Sequence, residues 1–282
     1  MDVKSAIKFM LISTLAFACM NSVVKYLVAT SPYQIVFFRS ISSLIFTMGF
    51  LYQKKISIFG NNKKLLILRS LVGVTSMTLF FMATKYIPIG TAVSLRYLAP
   101  IFAAIFSIFL LKEKIKHWQW IFFLIAFSGV LVLKGLDKHI DSYGLFLAVA
   151  SAVFSGLVYI VISKIGKSEH PVVVVNYFMF IATLVGGLLS INNWVNPEGW
   201  LEWLLLFSLG VFGYFGQVYM TKAFQVASTN QVAPLKYLEV IFTVLVGLFV
   251  FGEIYTLWSI LGIFMIILGL VLNVWYKSNR LD

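Results

Sequence analysis

Ten apolar segments separated by short connectors constrain the fold of this chain more than any other feature. Each segment holds roughly 20 residues, the length that an α-helix needs to cross the hydrocarbon core of a bilayer. The segments cover residues 6–28, 32–52, 65–86, 90–111, 117–133, 143–163, 171–191, 201–221, 229–251 and 255–276. The longest connector, 53–64, is too short to form a soluble domain. We therefore predict an all-α membrane protein with ten transmembrane helices.

Composition and charge agree with this class. Hydrophobic residues make up 61% of the 282 residues and charged residues 11%, whereas a soluble domain has about 25% charged residues. The net charge of +12 does not indicate a nucleic-acid partner, because the cations lie mostly in short connectors rather than on one soluble face. The expected partners are membrane lipids and a small-molecule substrate. The sequence leaves open whether the protein is a monomer or a homodimer.

The distribution of cations predicts the orientation. With ten crossings, 15 of the 22 Lys and Arg residues, Arg69 among them, fall on the side of the N-terminus and 4 on the other side. Cytoplasmic loops carry an excess of Lys and Arg. We therefore expect both termini in the cytoplasm of a multi-pass protein of a bacterial inner membrane.

The chain contains an internal duplication. A shift of 140 residues places Tyr97, Glu113, Trp118 and Gly129 on Tyr237, Glu253, Trp258 and Gly269, and a shift of 139 places Lys25 and Pro32 on Lys164 and Pro171. We assign the two repeats to residues 1–136 and 142–277. Each repeat has five crossings, an odd number, so the second must start on the opposite side of the bilayer. Two inverted five-helix repeats can exchange conformations and so give alternating access.

Two repeat motifs identify a family resemblance. The first is Arg96-Tyr97-Leu98-Ala99-Pro100 with a later Lys112-Glu113-Lys114, and the second is Ala233-Pro234-Leu235-Lys236-Tyr237-Leu238-Glu239 with a later Gly252-Glu253. With these motifs the whole chain resembles the EamA-type transporters of the drug/metabolite transporter superfamily. The resemblance implies secondary transport without ATP or a cofactor, and a central cavity between the halves. One departure is Gly262, whose repeat partner is Phe122.

Four ionic side chains lie deep inside predicted spans. A charge near the bilayer centre costs about 2.5–3.5 kcal/mol, so it usually faces a cavity or a partner. Arg39, Arg96 and Lys236 are the cations, and Glu239 is the one carboxylate deep in a span. Guanidinium groups bind carboxylate or phosphate through paired hydrogen bonds. The arginines therefore suit an anionic or zwitterionic solute.

Glu239 allows two interpretations. Lys236 is three residues away on the same predicted helix and can form an ion pair with it. That pair is either purely structural or is broken by substrate or by protonation, and the sequence does not separate these cases. Coupling to protons or to a counter-transported solute is open for the same reason.

Several uncharged polar residues could line a pathway, namely Asn21, Asn176, Gln217, Tyr97 and Tyr237. Polar residues also hold helices together in lipid, so a structural role is the alternative for each. Gly210, Gly213 and Gly216 are expected to permit close helix contact.

These features favour a secondary active transporter, an exporter or exchanger of a small polar metabolite. A lipid-carrier flippase on the same fold is the alternative. An intramembrane enzyme would need paired catalytic groups at one depth, but His139 and His170 lie in connectors and His117 lies at the boundary between a connector and a span. We therefore expect no catalytic residues, no metal site and no cofactor.

Overall fold

The computed structural model describes residues 3–110, 117–136, 140–165, 168–226 and 238–278. In these ranges the chain forms α1 Val3–Tyr26, α2 Pro32–Gln53, α3 Lys63–Ala83, α4 Ile89–Arg96, α5 Ala99–Leu110, α6 His117–Leu136, α7 Ser142–Ile165, α8 Pro171–Ser190, α9 Gly199–Val226, α10 Leu238–Phe251 and α11 Leu257–Ser278. A 3₁₀ turn, Ile191–Asn193, follows α8.

The helices account for all ten predicted crossings. Seven apolar segments are long enough to span a membrane, and α4 and α5 together make one of them. Three shorter apolar helices of 10–17 residues lie at the positions of the fifth, ninth and tenth predicted crossings. The prediction of an all-α membrane protein with ten helices is confirmed. We call the side on which α1 begins the N face, and the other side the opposite face.

The fourth crossing is broken between α4 and α5, next to Pro100. Proline has no backbone N–H to donate to the carbonyl four residues earlier, which here is Arg96. The chain instead makes tighter bonds, from the Leu98 amide to the Leu95 carbonyl at 3.0 Å and from the Ile101 amide to the Leu98 carbonyl at 2.9 Å. The break thus places Tyr97 outside a regular helix.

The two repeats pack against each other in a reciprocal way at α6 and α11. A Cβ on Gly129 would lie 2.5 Å from the carbonyl oxygen of Gly262, and a Cβ on Gly269 would lie 2.5 Å from the carbonyl oxygen of Phe122. The same shift of 140 residues converts the first contact into the second. The mismatch of Gly262 with Phe122 therefore leaves the close backbone approach equal in both halves.

Helices α2 and α8, which are also equivalent between the repeats, are antiparallel. Thr47 near the end of α2 bonds Asn176 near the start of α8, while Phe37 near the start of α2 contacts Gly186 near the end of α8. An antiparallel arrangement of equivalent helices is the arrangement that inverted repeats require.

Glycines on α9 bring it close to α1 and α2, as expected. A Cβ on Gly210 would lie 2.7 Å from the backbone nitrogen of Ser43, and one on Gly216 would lie 2.7 Å from the Phe17 ring. Small residues at such positions let helix backbones approach in lipid.

Candidate functional site

Glu239 is the centre of a buried polar cluster that joins three helices. Glu239 is 1% exposed and lies in the first turn of α10. Asn21 Nδ2 of α1 donates to Oε1 at 2.9 Å, Arg96 Nη2 of α4 donates to Oε1 at 3.0 Å, and Tyr97 OH donates to Oε2 at 2.7 Å. Three of the residues chosen from the sequence therefore meet on the one deep carboxylate.

The break in the fourth crossing positions two of these donors. Arg96 is the last residue of α4 and Tyr97 is its C-cap, so both side chains leave the helix at the same depth. The Arg96 guanidinium carbon also lies 4.0 Å from the centre of the Phe80 ring, a cation–π contact that holds the group in place. Asn21 Oδ1 has no hydrogen-bond partner among the described residues.

Arg39 is buried without a carboxylate partner among the described residues. It is 5% exposed, and its Nε and Nη1 atoms lie 3.2 Å and 2.6 Å from the sulfur atoms of Met20 and Met77. Thioether sulfur is a weak acceptor. The Arg39 guanidinium is therefore surrounded by groups that satisfy it poorly.

Arg69 is a buried cation, although the count of cations by side placed it on the N-terminal side rather than in the interior. It is 7% exposed and lies in the second turn of α3, with its guanidinium carbon 4.1 Å from the centre of the Phe178 ring. Its Nε and Nη1 atoms have no hydrogen-bond partner among the described residues. The signal was present, because residue 69 falls within the predicted span 65–86.

Two of the remaining predicted site residues lie on other helices, and two lie outside the described residues. Asn176 accepts from Thr47 Oγ1 at 2.9 Å and thereby ties α8 to α2. Gln217 is half-buried on α9. Lys236 and Tyr237, and with them the expected Lys236 to Glu239 ion pair, lie outside the described residues.

A second ionic cluster lies at the opposite face. Lys25 Nζ is 3.1 Å from Glu253 Oε1, and the backbone N–H of Ile89 donates to both Glu253 oxygens at 3.0 and 3.1 Å. We call Lys25, Glu253, Tyr255 and the Ile89 and Gly90 amides the opposite-face latch. Glu253 thus joins α1, the start of α4 and the end of α10.

Tyr255 completes the opposite-face latch. Its hydroxyl donates to Glu253 Oε2 at 2.6 Å and accepts from the Gly90 amide at 3.2 Å. Burial, and then the hydrogen bond to Glu253, raise the pKa of the Tyr255 phenol above its ordinary value. The hydroxyl therefore stays protonated and able to donate at neutral pH.

A carboxylate also links connectors at the N face. Glu169 Oε1 accepts from the backbone N–H of Asn61 at 2.5 Å and of Asn62 at 2.6 Å. Tyr177 OH donates to the Phe59 carbonyl at 2.7 Å. These bonds fasten the connector after α2 to the connector and first turns of α8, and so join the repeats on that side.

The sequence matches a known protein family over both repeats. The EamA-like transporter family matches residues 4–134 and again residues 142–275. A pseudopaline exporter of Pseudomonas aeruginosa is 28% identical over 270 residues, which is 95% of each chain. A riboflavin transporter of Vibrio cholerae is 30% identical over 257 residues, covering 86% of this chain and 84% of that protein.

Structural comparison agrees at the level of the fold. One crystal structure superposes over 99% of this chain and 97% of its own chain, with a TM-score of 0.67 and 19% identity. The family and the relatives are named for transport rather than for catalysis. The chain is therefore a member of the EamA-like transporter family and an integral membrane transporter.

Proposed function

We propose that this protein is a secondary active transporter, an exporter or exchanger, that moves a small anionic or zwitterionic metabolite by alternating access. The relatives named as an exporter of pseudopaline and a transporter of riboflavin support a small-molecule substrate. The ionic groups buried between the helices support the charge of that substrate.

Arg39 is the observation that carries this proposal. A guanidinium group held in a span at 5% exposure, whose hydrogen-bond acceptors among the described residues are two thioether sulfurs, has given up water without gaining a strong acceptor. Such a group is costly in a membrane unless it faces a cavity or a partner. A carboxylate or phosphate of the solute can accept two parallel hydrogen bonds from it.

The Glu239 cluster supplies the complementary charge. Arg96 and Glu239 neutralise each other at 3.0 Å, so the pair is stable without substrate. An ammonium group of a zwitterion could take the place of Arg96 on Glu239. The acidic group of the solute would then bind the released Arg96 guanidinium. Protonation of Glu239 would release Arg96 in a similar way, which leaves proton coupling and solute exchange as the two candidate energy sources.

The opposite-face latch supports the alternating-access part of the proposal. It draws together the ends of α1, α4 and α10 where those helices reach the opposite face. Helices α1 and α4 belong to the repeat 1–136, and α10 belongs to the repeat 142–277. Opening one face would therefore require the two repeats to separate there, which is a rocking motion of inverted halves.

For location we propose a bacterial inner membrane with the N face in the cytoplasm. The excess of Lys and Arg on the side of both termini supports this orientation. A cleavable tag at either terminus should be reachable by protease only after the cells are opened. Cleavage at the surface of intact cells would reverse the orientation.

A two-stage experiment tests the proposed function. Metabolites inside and outside cells with and without the protein are compared, and the solute that changes most is offered in labelled form to vesicles that contain the purified protein. We expect a water-soluble anion or zwitterion that crosses without ATP. Arg39→Met should abolish that transport, whereas Lys64→Met, which removes an exposed cation from α3, should not. A lipid-linked solute, or equal transport by both variants, would contradict the proposal.

A further inference from the structure

Three buried or half-buried arginines lie along one face of α3. One of them belongs to this helix, and the other two reach it from α2 and α4. Arg69, Gly73 and Met77 are spaced four residues apart and Phe80 follows three residues later, so these residues form one stripe on the helix. Arg69 belongs to the stripe itself. Arg39 reaches it at Met77, and Arg96 reaches it at Phe80.

Arg39 and Arg69 are close neighbours along this stripe. The Nη1 atom of Arg69 lies 3.4 Å from the position that a Cβ on Gly73 would occupy, and Nη1 of Arg39 lies beside the sulfur of Met77. Residues 73 and 77 are one helical turn apart, about 6 Å along the axis. The contacts that Arg69 and Arg39 make on α3 therefore lie one helical turn apart.

The charges on the stripe are not balanced by the described protein. Among the described residues, Glu239 is the carboxylate deep within a span, and Arg96 already binds it. Neither Arg39 nor Arg69 lies within 4.0 Å of a carboxylate in the described ranges. Two positive charges are left for an external partner.

The contact of Arg69 with Phe178 does not remove this need. A ring that stacks on a guanidinium group attracts its charge through the face of the π-system. The N–H groups of guanidinium lie in its plane, so stacking gives them no acceptor. This agrees with Nε and Nη1 of Arg69 both lacking a hydrogen bond within the described part of the chain.

We propose that Arg39 and Arg69 together bind a solute with two negative charges, and that Arg69 selects the dianion over the monoanion. This inference rests on the proposed transport function and narrows its substrate class. The two charges can belong to two carboxylates or to one phosphate monoester, since both chemistries suit a pair of guanidinium groups.

Ligand-induced thermal stabilisation of the purified protein measures this selectivity. The probes are straight-chain dicarboxylates of four to eight carbons, each paired with its monoamide, and methyl phosphate paired with dimethyl phosphate. Each pair has nearly the same size and differs by one charge. In the wild-type protein we expect at least one dianion to bind roughly 10-fold or more tightly than its partner, the size of a hydrogen bond to a charged group. The series that binds more tightly shows whether the two charges belong to two carboxylates or to one phosphate monoester.

Variants of α3 and α2 separate this inference from the proposed function. Arg69→Met should reduce the ratio of dianion to monoanion affinity to about 2-fold or less while monoanion affinity stays within about 2-fold. Arg69→Lys should keep part of the preference, which guards against a variant that fails to fold. Arg39→Met should lower the affinity for both dianions and monoanions. Lys64→Met should change neither, since it removes an exposed cation of the same helix.

The outcomes have distinct meanings. A wild-type protein that binds dianions and monoanions equally, or an Arg69→Met variant that keeps the preference, would overturn the role of Arg69 while the anionic substrate stands. A wild-type protein that binds none of the anions, with no change in Arg39→Met, would overturn the anionic substrate class and this inference with it.

Discussion

Arg96 and Glu239, which are 143 residues apart in the chain, form an ion pair with 3.0 Å between Nη2 and Oε1. Arg96 belongs to the first repeat and Glu239 to the second. The pair therefore links the two repeats inside the helix bundle. Asn21 and Tyr97 bind the same carboxylate, so movement of one half relative to the other must rearrange all three contacts.

Glu239→Gln should reduce stability and remove any response of transport to a pH gradient. A glutamine amide accepts through one oxygen, so at least one of the three donors at Glu239 loses its acceptor, at a cost of about 1–3 kcal/mol. Thermal unfolding measures the first effect. Uptake by vesicles with and without an imposed pH gradient measures the second. An unchanged response to the gradient in Glu239→Gln would exclude this residue as the proton site.

Glu253→Ala should open the opposite-face latch. The Glu253 carboxylate accepts from the Ile89 amide and binds Lys25, and loss of a charged acceptor corresponds to roughly 10-fold or more in local opening. Hydrogen exchange at the start of α4 should accelerate by that factor. Exchange in α8 serves as an internal control, because no hydrogen bond or ion pair among the described residues joins that helix to the latch. An unchanged rate at the start of α4 would show that these bonds do not hold the face closed.

Tyr255→Phe should alter the alkaline end of the stability profile. Burial and the bond to Glu253 raise the pKa of Tyr255 in the folded protein, so folding favours the protonated phenol. Its contribution is complete below the ordinary phenol pKa of about 10 and declines as the pH rises above that value. The difference in melting temperature between wild type and Tyr255→Phe should therefore shrink above about pH 10. A constant difference from pH 7 to pH 11 would contradict this assignment.

Gly210→Ala should destabilise the contact between α9 and α2. The added methyl group would lie 2.7 Å from the Ser43 backbone nitrogen, and such overpacking costs about 1–3 kcal/mol. Gly49→Ala on α2 is the matched control, since a Cβ there meets nothing within 4 Å and alanine is the better helix former. The melting temperature should thus fall for Gly210→Ala only. Equal melting temperatures for the two variants would show that α9 can move away at little cost.

The sequence predicts the helices well because bilayer thickness sets their length. Ten apolar segments of roughly 20 residues led directly to the ten crossings, and five crossings per repeat required inversion. The break after Arg96 follows from Pro100, which cannot donate to the Arg96 carbonyl. These inferences use chain-local chemistry, which a sequence displays completely.

The partners of the ionic residues were harder to predict. Helical spacing pointed from Glu239 to Lys236, which lies outside the described residues. Within them the carboxylate binds Asn21 and Arg96, which are 218 and 143 residues away. Glu253 likewise binds Lys25 across the repeats. Arg69 was assigned to the N-terminal side because it lies near the start of its span. Tertiary packing determines all of these contacts, and residue spacing carries no information about it.

The central claim is that the ionic cluster of Arg96 and Glu239 between the repeats binds the solute during transport. Uptake of the labelled substrate by vesicles is its most direct test, with wild type, Arg96→Met and the double variant Arg96→Met with Glu239→Gln. We expect both variants to lose transport, while the double variant recovers part of the stability that Arg96→Met loses, because no carboxylate is left without its cation. Full transport by Arg96→Met in correctly folded protein would contradict the account.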